Sequence, residues 1–221
     1  MIAALGQIWR ILATGFCFFV FGTGGLLLSF IVIPIIYLIS CPIKSIEREW
    51  RVQKTIQFSF NLFCNLMKYS GAINYKIIGA DTLKGDTGCL IIANHPSLID
   101  YVLIASQLER CDCIVKSAIW HNPFMKHIVK AAGYIPNELP EDLFKLSEER
   151  LQQGNVLLVF PEGTRSKHGV RSKLQRGAAQ IAIRNQRDLR IVHITVEPSF
   201  LTKEKKVVSG PFKKTVFSSR G

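Results

Sequence analysis

Apolar and polar positions divide this chain into three regimes. From Ile11 to Ile43 no side chain is charged, and about 20 apolar residues are enough to span a bilayer. Gly22-Thr23-Gly24-Gly25 and Pro34 interrupt the stretch, so it reads as one tilted span or as two short helices dipping into a single leaflet. It is too long for a secretory signal and lacks a clean small-residue cleavage site. Next, Trp50 to Tyr69 sets Phe58, Phe60, Leu62, Phe63 and Leu66 among Lys and Gln. That pattern suits an interfacial helix or a helix packed on a domain.

Beyond it, short apolar runs alternate with longer amphipathic ones. The runs predict strands over Asn74–Ile78, Cys89–Ala93, Cys113–Lys116, Asn155–Phe160 and Arg190–Val196. They predict helices over Ser97–Gln107, Pro123–Ala132, Glu141–Gln152 and Leu174–Asn185, with Gly154-Asn155 ending the third. Strands alternating with helices imply an α/β fold, a mainly parallel sheet flanked by helices. The polar tail from Thr202 to Gly221 is weakly specified and holds at most one further strand, Lys206–Ser209. Internal repeats and low-complexity tracts are absent. The expected division is 1–70 for membrane-anchoring and interfacial helices and 71–221 for one domain.

Two polar islands directly follow predicted strands: Asn94-His95-Pro96-Ser97-Leu98-Ile99-Asp100 and Phe160-Pro161-Glu162-Gly163-Thr164-Arg165-Ser166. In open α/β sheets, ligands bind beyond the carboxyl ends of the strands. An imidazole accepts a proton near neutrality, and a carboxylate that fixes its tautomer improves it as a base. Residues five apart on a regular helix lie roughly 140° from each other at 3.6 residues per turn. His95 and Asp100 therefore meet only if His95 sits in the loop before the helix. Ser97 as N-cap and Asp100 at the third helical position would allow this, as in a capping box. The same geometry also suits a plain capping role for Asp100. No Gly-x-Ser-x-Gly nucleophile elbow occurs, so a substrate hydroxyl is the natural nucleophile and a transferase fits better than a hydrolase.

The second island has the composition of an anion binder. Gly163 permits close backbone approach, Thr164 offers a hydroxyl and Arg165 a planar fork. Lys167, His168, Arg171, Lys173 and Arg176 follow and make the local potential positive. The alternative is a solvated basic loop with Arg165 paired to Glu162.

Asn-His-Pro-Ser-Leu-Ile-Asp resembles the first block of the glycerolipid acyltransferase family, His-x4-Asp, and Phe-Pro-Glu-Gly-Thr-Arg-Ser resembles its third block. The resemblance covers roughly residues 70 to 200. It implies acyl transfer from a thioester, acyl-CoA or acyl carrier protein, to the free hydroxyl of a lysophospholipid. The best-known acceptor is 1-acylglycerol-3-phosphate, which gives phosphatidic acid in phospholipid biosynthesis. His95 would be the general base and Asp100 its orienting partner. Glu162, Gly163, Thr164, Arg165 and Ser166 would bind the acceptor phosphate, with Lys116 of the second block as a further substrate contact. The resemblance implies no cofactor beyond the acyl-CoA or carrier-protein co-substrate. Some members of the family are monotopic, which favours the single-leaflet reading of the apolar segment.

The chain departs from the family pattern in three places. Pro136-Asn137 stands where the second block usually ends in Arg. Leu174-Gln175 replaces the usual Phe-Lys, and His193 replaces the Pro of the fourth block. The missing Arg removes one phosphate ligand and keeps open a non-phosphate acceptor, an aminolipid or a polyene or pigment lipid. A non-catalytic basic membrane tether is the remaining class; it predicts that His95 and Asp100 lie beyond hydrogen-bonding distance.

Charge and cysteines narrow the setting. Lys plus Arg number 28 against 16 acids, a net +12, which suits an anionic membrane surface and phosphorylated substrates. No nucleic-acid-binding motif accompanies the charge, and nucleic acid is not an expected partner. Lys44, Arg48, Arg51 and Lys54 follow the apolar run, against Arg10 before it. The domain should therefore face the cytoplasm, in bacteria on the inner membrane. The six cysteines form no framework: Cys111-Asp112-Cys113 is the only close pair and lacks a zinc-finger partner. A reduced protein without a metal site is expected.

Overall fold

Two apolar tetrapeptides form the centre of the sheet. Leu90–Ala93 (β2) and Val156–Val159 (β5) are buried almost throughout, as expected of parallel strands covered on both faces. The computed structural model describes residues 2–41, 43–165, 174–196 and 215–220, the last as backbone only. Its other strands are β1 (Tyr75–Ile78), β3 (Cys111–Lys116), β4 (Ile135–Asn137), β6 (Leu189–Thr195) and β7 (Thr215–Arg220). They form a seven-stranded sheet of order β1-β7-β6-β2-β5-β3-β4. The stretch β6-β2-β5-β3-β4 is parallel throughout; β7 lies antiparallel to β6, and β1 runs with β7. The predicted Lys206–Ser209 strand lies outside the described residues. β4 went unpredicted because Pro136 argues against a strand. Its lack of an N–H is tolerated at the sheet edge, where β4 sits.

Alternation of side chains sends the two faces of β2 into different layers. Cys89, Ile91 and Ala93 pack with the helices α1 (Ile2–Leu27), α3 (Ser45–Tyr69) and α5 (Asp100–Ala105). Leu90, Leu157 and Val159 pack with α8 (Pro140–Gln152) and α9 (Arg176–Asn185). The short helices α4 (Ala80–Lys84), α6 (Ser117–Trp120) and α7 (Lys126–Ala131) fill the connections. α5 and α7 are shorter than predicted, because the residues just before each are turns.

The apolar segment is one continuous rod. α1 passes through a π-helical turn, Leu28–Val32, into α2 (Ile33–Ile39). Pro34, without an N–H, follows that turn directly, and a widened turn accommodates the missing donor. α3 lies antiparallel along this rod. The Trp9 indole N–H donates to the Ser70 carbonyl at 3.0 Å, Phe21 packs on Phe63 with ring centroids 4.5 Å apart, and the Arg48 guanidinium lies 4.5 Å from the Tyr37 ring centre. One face of α3 (Val52, Ile56, Phe63, Cys64, Met67) is buried on the domain, while Phe58 and Leu62 are exposed.

A buried polar hub fastens α3 to the amino ends of β3 and β5. The Asp112 carboxylate, fully buried, accepts from Gln53 at 2.5 Å, Asn155 at 2.8 Å and Arg150 at 2.8 and 3.1 Å. Arg150 also pairs with Glu49 and donates to the Ala132 carbonyl at 3.2 Å. Burial pushes the Asp112 carboxyl up, and its bonds to Arg150, Asn155 and Gln53 pull the other way.

Candidate active site

β2, β5 and β3 are consecutive in the sheet and parallel, so the loops after them share one rim. Ile92 is level with Val159, which sets His95 beside the turn that begins at Pro161. His95 lies in the loop after β2, as its pairing with Asp100 requires. Asn94 pins that loop: its amide donates to the Ile194 carbonyl at 2.8 Å and accepts the Ile194 N–H at 2.7 Å. The position was legible in the motif, but its partner, 100 residues away, was not.

His95 Nδ1 lies 2.9 Å from Asp100 Oδ2, with side-chain exposures of 20% and 0%. A non-catalytic tether predicted these groups apart. The Ser97 N–H donates to Oδ2 of Asp100 at 2.6 Å, and the Ser97 hydroxyl donates to Oδ1. Helix α5 begins only at Asp100, with Ile99 at the N-cap. Ser97 is therefore not the N-cap that the sequence predicted. Its hydroxyl serves the carboxylate, while Asp100 takes the Ser97 amide as the acid of a capping box would. Burial raises the Asp100 carboxyl above its usual value, and the bonds from His95 and Ser97 oppose that.

The second island closes on the first. The imidazole stacks on Phe160, with centroids 4.3 Å apart and planes at 24°. The backbone N–H of His95 donates to Glu162 Oε1 at 3.2 Å. The Glu162 carboxylate is thus turned to the His95 loop. Gly163 takes φ +65° in the turn, its N–H bonded to the Phe160 carbonyl at 3.0 Å; this left-handed conformation is the reason for glycine here. The Gln175 N–H reaches the Pro161 carbonyl at 2.6 Å and ties the turn to the start of α9. Gly163 and Thr164 are exposed and Arg165 half-buried, all on this turn. Ser166, like Lys167, His168, Arg171 and Lys173, lies outside the described residues.

Lys116 is the last residue of β3, exposed and level with Asn137 of β4. It shares the rim with His95 but stands two strands away, about 10 Å at 4.8 Å per strand. Glu138 follows Asn137 and accepts from His121 Nε2 at 2.8 Å and the Ser117 hydroxyl at 3.1 Å. His121 holds the exposed Glu138 carboxyl below its usual value. Sequence reading missed four contributions here: Asn94, Ser97 toward the carboxylate, Phe160 under the ring, and Glu162 on the His95 amide. Only Phe160 and Asn94 carried a signal, as the residues directly after the strands that lead into the site.

Comparison with known proteins follows these landmarks. The family model "Acyltransferase" matches residues 74–198, which contain both islands. The 1-acyl-sn-glycerol-3-phosphate acyltransferase of Helicobacter pylori is 31% identical over 130 residues, 55% of this chain and 52% of that protein. Its Pseudomonas aeruginosa namesake is 26% identical over 171 residues, 75% of this chain and 61% of that protein. The chloroplastic enzyme BAT2 of Brassica napus is 30% identical over 104 residues, 45% of this chain and 30% of that protein. The chain thus spans from under a third to about three fifths of the length of these relatives. In fold it is similar to the crystal structure of the 1-acyl-sn-glycerophosphate (LPA) acyltransferase PlsC from Thermotoga maritima, at TM-score 0.73 and 18% identity, covering 97% of this chain and 85% of that one. With both motif blocks inside the matched residues and brought together on one rim, the chain belongs to the Acyltransferase family, the glycerolipid acyltransferases.

Proposed function

We propose that the protein transfers a fatty acyl group from acyl-CoA or acyl carrier protein to the free hydroxyl of a lysophospholipid, 1-acylglycerol-3-phosphate, yielding phosphatidic acid. The observation that carries this reading is the 2.9 Å bond between His95 and the buried Asp100, in a loop fastened to the Glu-Gly-Thr-Arg turn. With Asp100 holding Nδ1–H, Nε2 takes the acceptor's hydroxyl proton as that oxygen attacks the thioester carbon. The C–S bond breaks, the thiolate leaves, and the imidazolium returns the proton to it. Arg165 and Lys116 supply positive charge on the rim for the acceptor phosphate. No cofactor enters the scheme. His95→Ala should abolish turnover while leaving the circular dichroism spectrum unchanged; near wild-type acyl transfer would remove the base assignment. Arg165→Ala should mainly raise the KM for a phosphorylated acceptor.

The reaction belongs at a membrane, on its cytoplasmic face and in bacteria at the inner membrane. The apolar rod from Leu5 to Ile39 is 35 residues long and only 17% of its most apolar window is covered by protein. At 1.5 Å per residue it measures about 52 Å, against a hydrocarbon core of about 30 Å. α3 lies along the whole of it and carries Glu47, Arg48, Glu49, Arg51 and Lys54, fastened to the domain by the hub around Asp112. The domain packs along the middle of the rod, at Ala13, Cys17, Leu28 and Ile33, so upright insertion would draw it into lipid. A rod lying flat in one leaflet avoids this and keeps the domain on one side.

A second reading, acylation of a lipid acceptor without a terminal phosphate, is supported by Asn137 and the acidic Glu138 at the end of β4. A panel of lysophospholipid, aminolipid and pigment-lipid acceptors with one labelled acyl-CoA separates the two.

A further inference from the structure

The segment between β3 and α7 combines features that the acyl-transfer chemistry does not use. From Ser117 to Lys130 it contains Lys126 and Lys130 and no acidic residue. Ile119, Phe124 and Met125, at 40%, 57% and 40% exposure, leave large apolar side chains in water within this basic stretch. Phe124 keeps more than half of its surface in water, so its burial contributes little to the fold. The segment begins at the carboxyl end of β3, so it stands at the rim that carries His95.

It also adjoins the apolar rod. Ile128 and Val129 of α7 pack with Leu28 and Ile33, and Phe30 meets the His127 ring edge-on at 5.7 Å. The exposed apolar side chains therefore continue a surface that the rod already presents to lipid, and the lysines match anionic headgroups. We propose that the α6–α7 loop, through Phe124 and Met125, is a second membrane contact that seats the rim of the active site in the headgroup layer of an anionic leaflet. The inference rests on the membrane reading above but assigns the loop its own role. The rod holds the protein on the bilayer, whereas the loop fixes how closely the rim approaches it. Amphiphilic substrates then reach His95 without their chains crossing water.

The test uses the full-length chain. In one variant Phe124→Trp becomes the only tryptophan, with Trp9, Trp50 and Trp120 replaced by Phe. On vesicles of phosphatidylglycerol and phosphatidylcholine brominated near the carbonyl end of the chain, its fluorescence should be quenched. A second variant, Phe124→Ser with Met125→Ser, should still float with the vesicles. Its KM for acceptor embedded in the bilayer should rise about tenfold, as loss of apolar burial predicts, with kcat on a water-soluble short-chain acceptor unchanged. Vesicle binding without quenching, or an unchanged bilayer KM, overturns the loop contact and leaves the membrane reading intact. Failure of the wild-type chain to bind vesicles overturns both. Dimerisation abolished by the double substitution, without quenching, would make the loop an interface between copies and also overturn it.

Discussion

Glu162 Oε1 accepts the backbone N–H of His95 at 3.2 Å and thereby joins the turn after β5 to the loop after β2. A carboxylate repels a phosphate, so this contact, more than anion binding, explains an acid in a turn otherwise suited to anions. Glu162→Ala should lower kcat about 10- to 100-fold, the range of a hydrogen bond to a charged group, with the acceptor KM little changed. Glu162→Gln keeps the accepting oxygen and should retain most of the activity. Steady-state kinetics on both variants decide the point: a raised KM with normal kcat would return Glu162 to the anion site.

Asp100 holds the imidazole through Oδ2, 2.9 Å from Nδ1. Asp100→Asn preserves shape but can present an N–H where His95 needs an acceptor, which favours the wrong tautomer. The expected loss in kcat is about four orders of magnitude, with thermal stability close to wild type because the Ser97 contacts can partly re-form. Activity within tenfold of wild type would show that the tautomer is fixed by something else.

Arg150 and Gly133 define the tightest point of the hub. Gly133 has φ +70°, and a Cβ there would lie 2.3 Å from Arg150 Nη2. Gly133→Ala should therefore destabilise the fold through both strain and collision. Arg150→Ala should cost about 3–5 kcal/mol, because it leaves Asp112 buried without its counter-charge. Denaturant unfolding of each single variant measures this. In the double variant the collision term disappears, so the two losses should sum to less than their separate values.

The thiols offer a check on burial. Burial pushes Cys64 and Cys113 up to about 12 and Cys89 up to about 11, so at pH 8 they stay protonated and are poor nucleophiles. Cys17 and Cys111 are also buried, and Cys41 alone is exposed. A thiol reagent acting on the folded protein in detergent should modify Cys41 rapidly and the other five only on unfolding, as mass spectrometry would resolve.

Local pattern was enough to single out the candidate residues. β2 and β5 announce themselves as apolar runs ended by polar residues, and the position of His95 before its helix follows from the five-residue step to Asp100. The apolar rod is equally plain, because lack of charge needs no tertiary context. β4 was hidden by Pro136, and turns that mimic helix starts made the predicted α5 and α7 too long.

What only the folded chain decided is everything that joins distant residues. Glu162 meets His95 across 67 positions, Asn94 reaches Ile194 across 100, and Gln53 reaches Asp112 across 59. None of these bonds has a periodicity or neighbour that marks it, since hydrogen bonds between elements depend on strand order and register. Residue type and spacing determined which groups could act. Packing the β2 and β5 loops side by side, with α3 clamped along the apolar rod, decided which groups meet.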